Sequence, residues 1–439
     1  YMEREKFKSR LGFILISAGC AIGIGNVWRF PYVVGNNGGG CFVLFYVLFL
    51  VILGLPILTM EFSVGRASQQ SIARAFTTLE KKGQFYTTVA GWMLKYFFDT
   101  AKGDFIGATT SQVKDHFTYM NSVPSEMIFW TVVVIIIGFL VCSLGLQNGV
   151  EKISKGMMIA LLVIMAVLAM NSIFLKGASK GLYFYLVPDF QQIKNIGLIN
   201  VLVAAMNQAF FTLSIGMGSM TIFGSYLSKD HSLLGESINI VALDTFVAIV
   251  SGLIIFPSCF AFGVNPDQGP SLIFITLPNI FIKMPGGRII GSCFFIFMAF
   301  AAFSTVIAVF ENIMSSCMDL WGWERKKTAL INTILIIIGS IPCVLGFNIL
   351  SGFHPLGKGT NVMDLEDFLV SNLILPIGSL IYTLFCTSKY GWGWDNYLKE
   401  VNTGNGLKVP GKIRFYCKWI LPLVTLFIIV NGLISVFNK

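Results

Sequence analysis

Long apolar runs, interrupted by short polar or charged stretches, set the pattern of this chain. They fall near 11–34, 41–64, 85–99, 128–146, 157–175, 199–224, 236–262, 288–318, 328–350, 366–387 and 413–437. A helix needs roughly 20 apolar residues to cross about 30 Å of hydrocarbon, so ten of these runs predict membrane spans of ordinary length. The third is short. Between Gln84 and Asp99 only FYTTVAGWMLKYFF is available, about 21 Å of helix. That span either begins in a water-filled vestibule or lacks residues ahead of Phe85. The stretch 269–282, GPSLIFITLPNIFI, is too short to cross, and its flanking Gly and Pro predict a re-entrant or surface helix outside the membrane.

Two runs carry interior glycines. The first reads SAGCAIGIGNVWRFP and the sixth FFTLSIGMGSMT. Small residues at this spacing suit close helix packing, yet each Gly costs a helix roughly 1 kcal/mol against Ala. Their position decides between these readings. They open two sets of five spans, 1–5 and 6–10, and interrupted helices in corresponding positions mark a transporter's binding site. An unwound segment frees N–H groups for an anion and C=O groups for a cation.

Composition agrees. Of 439 residues, 55% are hydrophobic and 12% charged, with mean hydropathy +0.75. Soluble domains carry about 25% charged residues, which excludes a large soluble catalytic domain. An outer-membrane barrel would alternate apolar and polar residues instead of running apolar. The net charge of +9 reads as loop cations, not nucleic-acid binding. With the N-terminus inside, 20 of 31 Lys and Arg fall in cytoplasmic segments, 9 lie outside, and Arg29 and Lys95 lie within spans. This predicts a cytoplasmic N-terminus and, with eleven spans, an extracytoplasmic C-terminus. The nine Cys form no CxxC pair and read as packed thiols, the three His are far apart, and no cleavable signal sequence is evident.

The stretches RLGFILISAGCAIGIGNVWRFPYVVGNNGGGCF, QAFFTLSIGMG and FAAFSTVIAVFEN resemble the first, sixth and eighth spans of the neurotransmitter:sodium symporter family. The likeness runs from Arg4 to the chain's end, and the eleven spans resemble a bacterial branch that includes tyrosine transporters. It implies an all-α membrane protein with an inverted five-helix repeat: 1–175 holds spans 1–5, 176–387 holds spans 6–10, and 388–439 holds a cytoplasmic loop and span 11. It also implies the bacterial inner membrane and Na⁺-coupled amino-acid uptake by alternating access, with no organic cofactor and no nucleic-acid partner.

The resemblance further implies site residues. One Na⁺ would meet the Ala21 carbonyl, Asn26, Thr212 and Asp244. A second would meet the carbonyls of Gly19, Ile22 and Ala301 and the hydroxyls of Ser304 and Thr305. All-oxygen shells suit a hard cation, although Ser304 and Thr305 alone would read as ordinary helix hydroxyls bonding to their own backbone. The substrate carboxylate would meet Ile24, Gly25 and Tyr86. Its ammonium would meet carbonyls near Ala21, Phe211 and Thr212. Its side chain would lie among Ile24, Phe211, Ser214, Met217, Thr305 and Val309. A flexible thioether at Met217 leaves room for a ring, favouring an aromatic or bulky apolar amino acid; tyrosine is favoured through the resemblance alone.

Asp244 is the sharpest single residue, because a carboxylate at mid-membrane costs roughly 2.5–3.5 kcal/mol or more. In the resemblance it ligates Na⁺ and, with Tyr46 and Gln208 nearby, stands in for chloride. This implies chloride-independent transport, with proton antiport if Asp244 protonates on the return step. Arg29 and Asp367 would close the outer side over a Tyr86–Phe211 lid. Arg4 and Asp319, helped by Tyr226, would close the inner side. The family's pattern of Gly, nine residues, then Pro in span 5 is not kept here, since Gly149 is followed at that spacing by Ile159. Glu61 and Glu311 are buried acids without an assigned role. No nucleophile–base pair or metal cluster suggests an enzyme. The rival reading is an amino-acid-binding receptor or channel-like protein without coupled transport.

Overall fold

The computed structural model describes residues 5–23, 25–71, 118–119, 121–263, 272–388 and 392–437. Among the described residues the protein is all-α, with only two isolated bridges, Gly39–Pro188 and His231–Asn405, in place of any strand. The elements used below are α1 (Arg10–Ala21), α2 (Gly25–Asn36), α3 (Gly40–Ser68), α4 (Pro124–Ser143), α5 (Leu146–Ile173) and α6 (Ala178–Leu186). They continue with α7 (Phe190–Ile196), α8 (Leu198–Thr212), α9 (Ser219–Ser225), α10 (Leu233–Ala261), α11 (Leu277–Lys283) and α12 (Gly287–Trp321). The last are α13 (Arg325–Leu345), α14 (Val362–Thr387), α15 (Trp394–Val401) and α16 (Gly411–Ile434).

Among the described residues, eight helices are long and apolar enough to cross a membrane, and ten if each of two bent pairs counts as one. Nine of the predicted spans coincide with these helices or with the bent pair α1 and α2; the second bent pair is α7 with α8, whereas the predicted sixth span, 199–224, is carried by α8 and α9 on either side of a break. The short third span, with the Gln84–Phe85 junction, lies outside the described residues. The fifth span starts earlier than the charges suggested. Lys152 and Lys155 sit on the first α-helical turns of α5 and leave the inward face to Ser154 and Met158. With Ile159 in place of Pro, that helix runs unbroken from Lys152 to Ile173. The stretch 269–282 contributes a π-helical turn, Leu272–Thr276, and α11, whose Leu277, Ile280 and Phe281 are buried as it packs against α12.

Burial separates the helices by role. In α12 the most apolar window is 78% buried and in α10 61%, against 33% in α5 and α16. The first two form the interior. Outer helices turn Leu140, Val163, Leu335 and Leu423 to the surface, as expected where the solvent is lipid. Helix ends follow local chemistry. Ser9 caps α1 by accepting from the Gly12 N–H at 3.0 Å. The same end is held by Glu151 of α5, which accepts from the Lys8 N–H (2.8 Å), the Ser9 N–H (3.1 Å) and the Ser9 hydroxyl (2.9 Å). Among the described residues, six π-helical turns interrupt or flank the helices, including Gly25–Arg29 in α2 and Leu369–Ile374 in α14; such turns are frequent at functional sites.

Candidate functional site

The two glycine-bearing runs are both broken, and the breaks face each other. The helix of α1 stops at Ala21, and α2 leaves at 54° to it. The sixth run stops at Thr212 and restarts at Ser219, and between them Ser214 (φ 50°), Gly216 (φ 85°) and Gly218 (φ 87°) adopt left-handed backbone. Only glycine takes that conformation freely, so Ser214 is held there by its surroundings. Its hydroxyl donates to the Cys20 carbonyl across the gap at 3.4 Å, and Gln208 Nε2 donates to the Gly25 carbonyl at 3.2 Å.

At one side of the breaks stands Asp244, fully buried on α10. Asn26 Nδ2 donates to its Oδ1 at 2.7 Å, and Thr212 Oγ1 reaches Oδ1 at 3.3 Å and Oδ2 at 3.1 Å. Tyr46 donates its hydroxyl to Thr212 Oγ1 at 3.4 Å. Tyr46, Asn26, Gln208 and Thr212 are all buried. Sequence residues 26, 46, 212 and 244 thus meet at one carboxylate. A buried charge requires a partner, and an amide and a hydroxyl supply hydrogen bonds but no positive charge.

On the other side α12 brings Ser304 and Thr305 against the end of α1. Ser304 Oγ lies 3.0 Å from the Gly19 carbonyl, 3.3 Å from Ile22 and 3.0 Å from Ala301. Thr305 Oγ1 lies 3.2 Å from Gly19, 3.4 Å from Cys20 and 3.5 Å from Ile22. Each hydroxyl has one proton, which satisfies one acceptor. The surplus of converging oxygens is of the kind that suits a hard cation, and the structure brings Gly19, Ile22, Ala301, Ser304 and Thr305 together, with the Cys20 carbonyl beside them. Ala21, Phe211, Met217 and Val309 are buried around the same breaks, with the Phe211 ring seated on Gly25 so closely that a Cβ there would lie 2.7 Å from it. Ile24 and Tyr86 lie outside the described residues.

The outer pair meets directly. Arg29 Nη1 is 3.5 Å from Asp367 Oδ1, and its guanidinium carbon sits 4.1 Å over the Phe211 ring. Sequence reasoning missed Ser371. It accepts from Arg29 at 2.9 Å and donates to Asp367 at 2.9 Å; its four-residue offset from Asp367 on a helix was the available signal.

The inner side differs more from expectation. Tyr226 donates to Glu311 Oε1 at 2.9 Å and shares a 2.5 Å hydrogen bond with Ser315. Arg325 grips both oxygens of Glu311 at 2.8 Å each and donates to the Cys142 carbonyl at 2.9 Å. The predicted partner Asp319 accepts from the Ser71 N–H at 2.6 Å; Arg4 lies outside the described residues. Arg325, read as a loop cation, is therefore the buried counter-ion of an acid that had no role. Arg66 is a second such case. Fully buried at the end of α3, it binds the Glu400 carboxylate at 2.7 Å, the Glu400 carbonyl and the His231 carbonyl at 2.8 Å. Glu61 accepts the N–H groups of Gly216 (3.0 Å) and Gly218 (2.7 Å), which fixes the unwound segment from the α3 side.

Comparison with known proteins agrees with this geometry. The sequence profile described as "Sodium:neurotransmitter symporter family" matches residues 4–105 and 100–439. The chain belongs to that family. It is a sodium-dependent membrane transporter, not an enzyme. A Bacillus subtilis relative named an uncharacterized sodium-dependent transporter, YhdH, is 33% identical over 98% of each chain. A rat sodium- and chloride-dependent GABA transporter 2 is 22% identical, covering 99% of this chain and 81% of its own. Among solved structures, MhsT in complex with L-phenylalanine matches with a TM-score of 0.87 and 35% identity, over 98% of this symporter and all of that chain.

Proposed function

We propose that this symporter takes up an aromatic or bulky apolar amino acid, tyrosine foremost, together with two Na⁺, by alternating access and without chloride. The observation that carries the reading is Asp244. It is a buried carboxylate in reach of Asn26 and Thr212, with no cationic side chain hydrogen-bonded or ion-paired to it among the described residues. One Na⁺ there, held by Asn26, Thr212, Asp244 and the Ala21 carbonyl, would neutralise the charge, and the carboxylate would take the place of a chloride beside Tyr46 and Gln208. The second Na⁺ would lie between Gly19, Ile22, Ala301, Ser304 and Thr305. Each ion would join the broken first span to a helix that does not break, so its binding favours one arrangement of the two.

The L-phenylalanine bound by MhsT supports a ring-bearing substrate, as does the flexible Met217 beside two glycines. The carboxylate would meet the freed N–H of Gly25, with Ile24 and Tyr86, and the ring would lie among Phe211, Ser214, Met217, Thr305 and Val309. Arg29 and Asp367 with Phe211 would close the outer side; Tyr226, Asp319 and Arg4 the inner side. The inverted repeat 1–175 and 176–387, eleven spans, an inner bacterial membrane and a cytoplasmic N-terminus belong to the same proposal. Labelled tyrosine and phenylalanine uptake into proteoliposomes tests it. Uptake should require a Na⁺ gradient and persist when gluconate replaces chloride; a chloride requirement overturns the role given to Asp244. Proton release on the return step would appear as uptake that rises with an outward-acting lumenal acid pH, and would vanish in Asp244→Asn.

A further inference from the structure

The unwound segment 213–218 is held between two walls. On one side Ser214 touches the Cys20 carbonyl and Asn312 Nδ2 lies 3.5 Å from the Met217 carbonyl, so α1 and α12 face it. On the other side is α14, where two glycines meet backbone to backbone. A Cβ on Gly378 would overlap the Gly216 carbonyl oxygen, and a Cβ on Gly216 would overlap the Leu375 carbonyl and lie 2.7 Å from the Ser379 nitrogen. Neither residue can carry a side chain without separating the segment from α14. Ser379 completes the seat. It is fully buried, its Oγ has no hydrogen-bond partner among the described residues, and it lies 2.8 Å from where a Gly216 Cβ would be. The carboxylate of Glu61 prevents the segment from sliding along α14, because it grips the N–H groups on both sides of Met217.

We propose that Gly378, with Ser379, is a positioning residue for substrate selection: the depth of its seat on α14 sets how far Met217 stands into the side-chain pocket. The inference rests on the amino-acid uptake proposed above. Any atom added at Gly378 moves the segment away from α14 and toward α1 and α12, where the substrate side chain would lie. Any atom removed at Ser379 lets the segment settle outward. Neither residue touches the substrate, and neither belongs to the residue set that would bind it.

The test is Na⁺-dependent uptake of L-tryptophan, L-phenylalanine and L-valine by the full-length protein in proteoliposomes. Overpacking at Gly378→Ala should lower kcat/KM for phenylalanine about tenfold while valine changes less than about threefold, with the loss in KM. Ser379→Ala should shift the tryptophan-to-phenylalanine ratio the other way, by about threefold in favour of tryptophan. A structural role alone would lower all three substrates together through kcat. Equal losses, or ratios unmoved in both variants, overturn the proposal. Should Gly378→Ala fail to fold, Ser379→Ala decides alone, since it removes only an unpartnered hydroxyl; an unchanged ratio there is a refutation. If the wild type takes up neither tyrosine nor any of these amino acids with Na⁺, the proposed function fails first, before any variant is compared, and this inference falls with it.

Discussion

Asn26 and Asp244, 218 residues apart in sequence, are joined by a 2.7 Å hydrogen bond from amide to carboxylate. The bond ties the break in the first span to the centre of α10. Because Asp244 is fully buried, its charge is supported by what reaches it from the two breaks, Asn26 in the first span and Thr212 in the sixth, and the position of the breaks and the state of the carboxylate are coupled.

Replacement of Asp244 by Asn removes the charge and keeps the shape. Hydrogen bonds to a charged group contribute about 1.5–3 kcal/mol, so the Na⁺ concentration for half-maximal binding should rise about 10- to 100-fold. Added chloride should restore part of the loss if the anion can occupy the position the carboxylate gave up. Substrate binding titrated against NaCl and sodium gluconate checks both effects, and an unchanged Na⁺ requirement would count against this site.

Thr305→Ala removes one hydroxyl from the oxygen cluster at Gly19, Cys20 and Ile22. Apparent Na⁺ affinity should fall about tenfold, equivalent to about 1.4 kcal/mol. The Hill coefficient should fall from about two toward one, because one of two coupled ions is weakened while the Asp244 site stays intact. Sodium titrations of substrate binding read this directly.

Arg29→Lys keeps a positive charge opposite Asp367 but loses the planar group that lies over Phe211 and reaches Ser371. An exposed ion pair alone is worth under about 1 kcal/mol. Release of bound substrate to the outside should quicken about three- to tenfold, with little change in thermal stability. Release at the rate of the wild type would show that the guanidinium plane has no part in closure.

The inner pair is of another kind. Glu311 is fully buried and Arg325 nearly so, 14% exposed by its side chain. Removing one partner of a buried pair costs about 3–5 kcal/mol through the charge left behind. Arg325→Ala should lower the melting temperature in detergent by several degrees, and Glu311→Gln in the same chain should recover part of it. No recovery in the double variant would mean that Arg325 acts through the Cys142 carbonyl instead.

The apolar runs made most of the helices legible, because a bilayer imposes one length and one polarity on every span. The two breaks were legible for a related reason: glycine at mid-span is costly enough to need an explanation. Asp244 stood out on the same grounds. Arg66 and Arg325 did not. Each sits beside a charged stretch, where a loop cation and a buried one look alike, and their partners Glu400 and Glu311 are 334 and 14 residues away. Ser371 was hidden by ordinariness, since a serine in an apolar helix commonly bonds to its own backbone. The Gly216–Gly378 contact could not be read at all, because a backbone-to-backbone approach leaves no mark except the absence of side chains at two distant positions.

The π-helical turn Leu369–Ile374 follows directly after Asp367 and Phe368. Such a turn holds one residue more than an α-turn. Taking that extra residue out closes the turn to ordinary helix and leaves both flanks facing as they do, whereas taking one out of the α-helical turns after it, Leu375–Thr387, rotates everything ahead by about 100°. Asp367 would then point away from Arg29 with its chemistry untouched. Alignment of the outer pair is therefore set by counting along the chain more than by attraction between charges. The π-turn is the one place in α14 beyond Asp367 where a residue can be lost without turning that carboxylate away; the regular helix after it has no such slack.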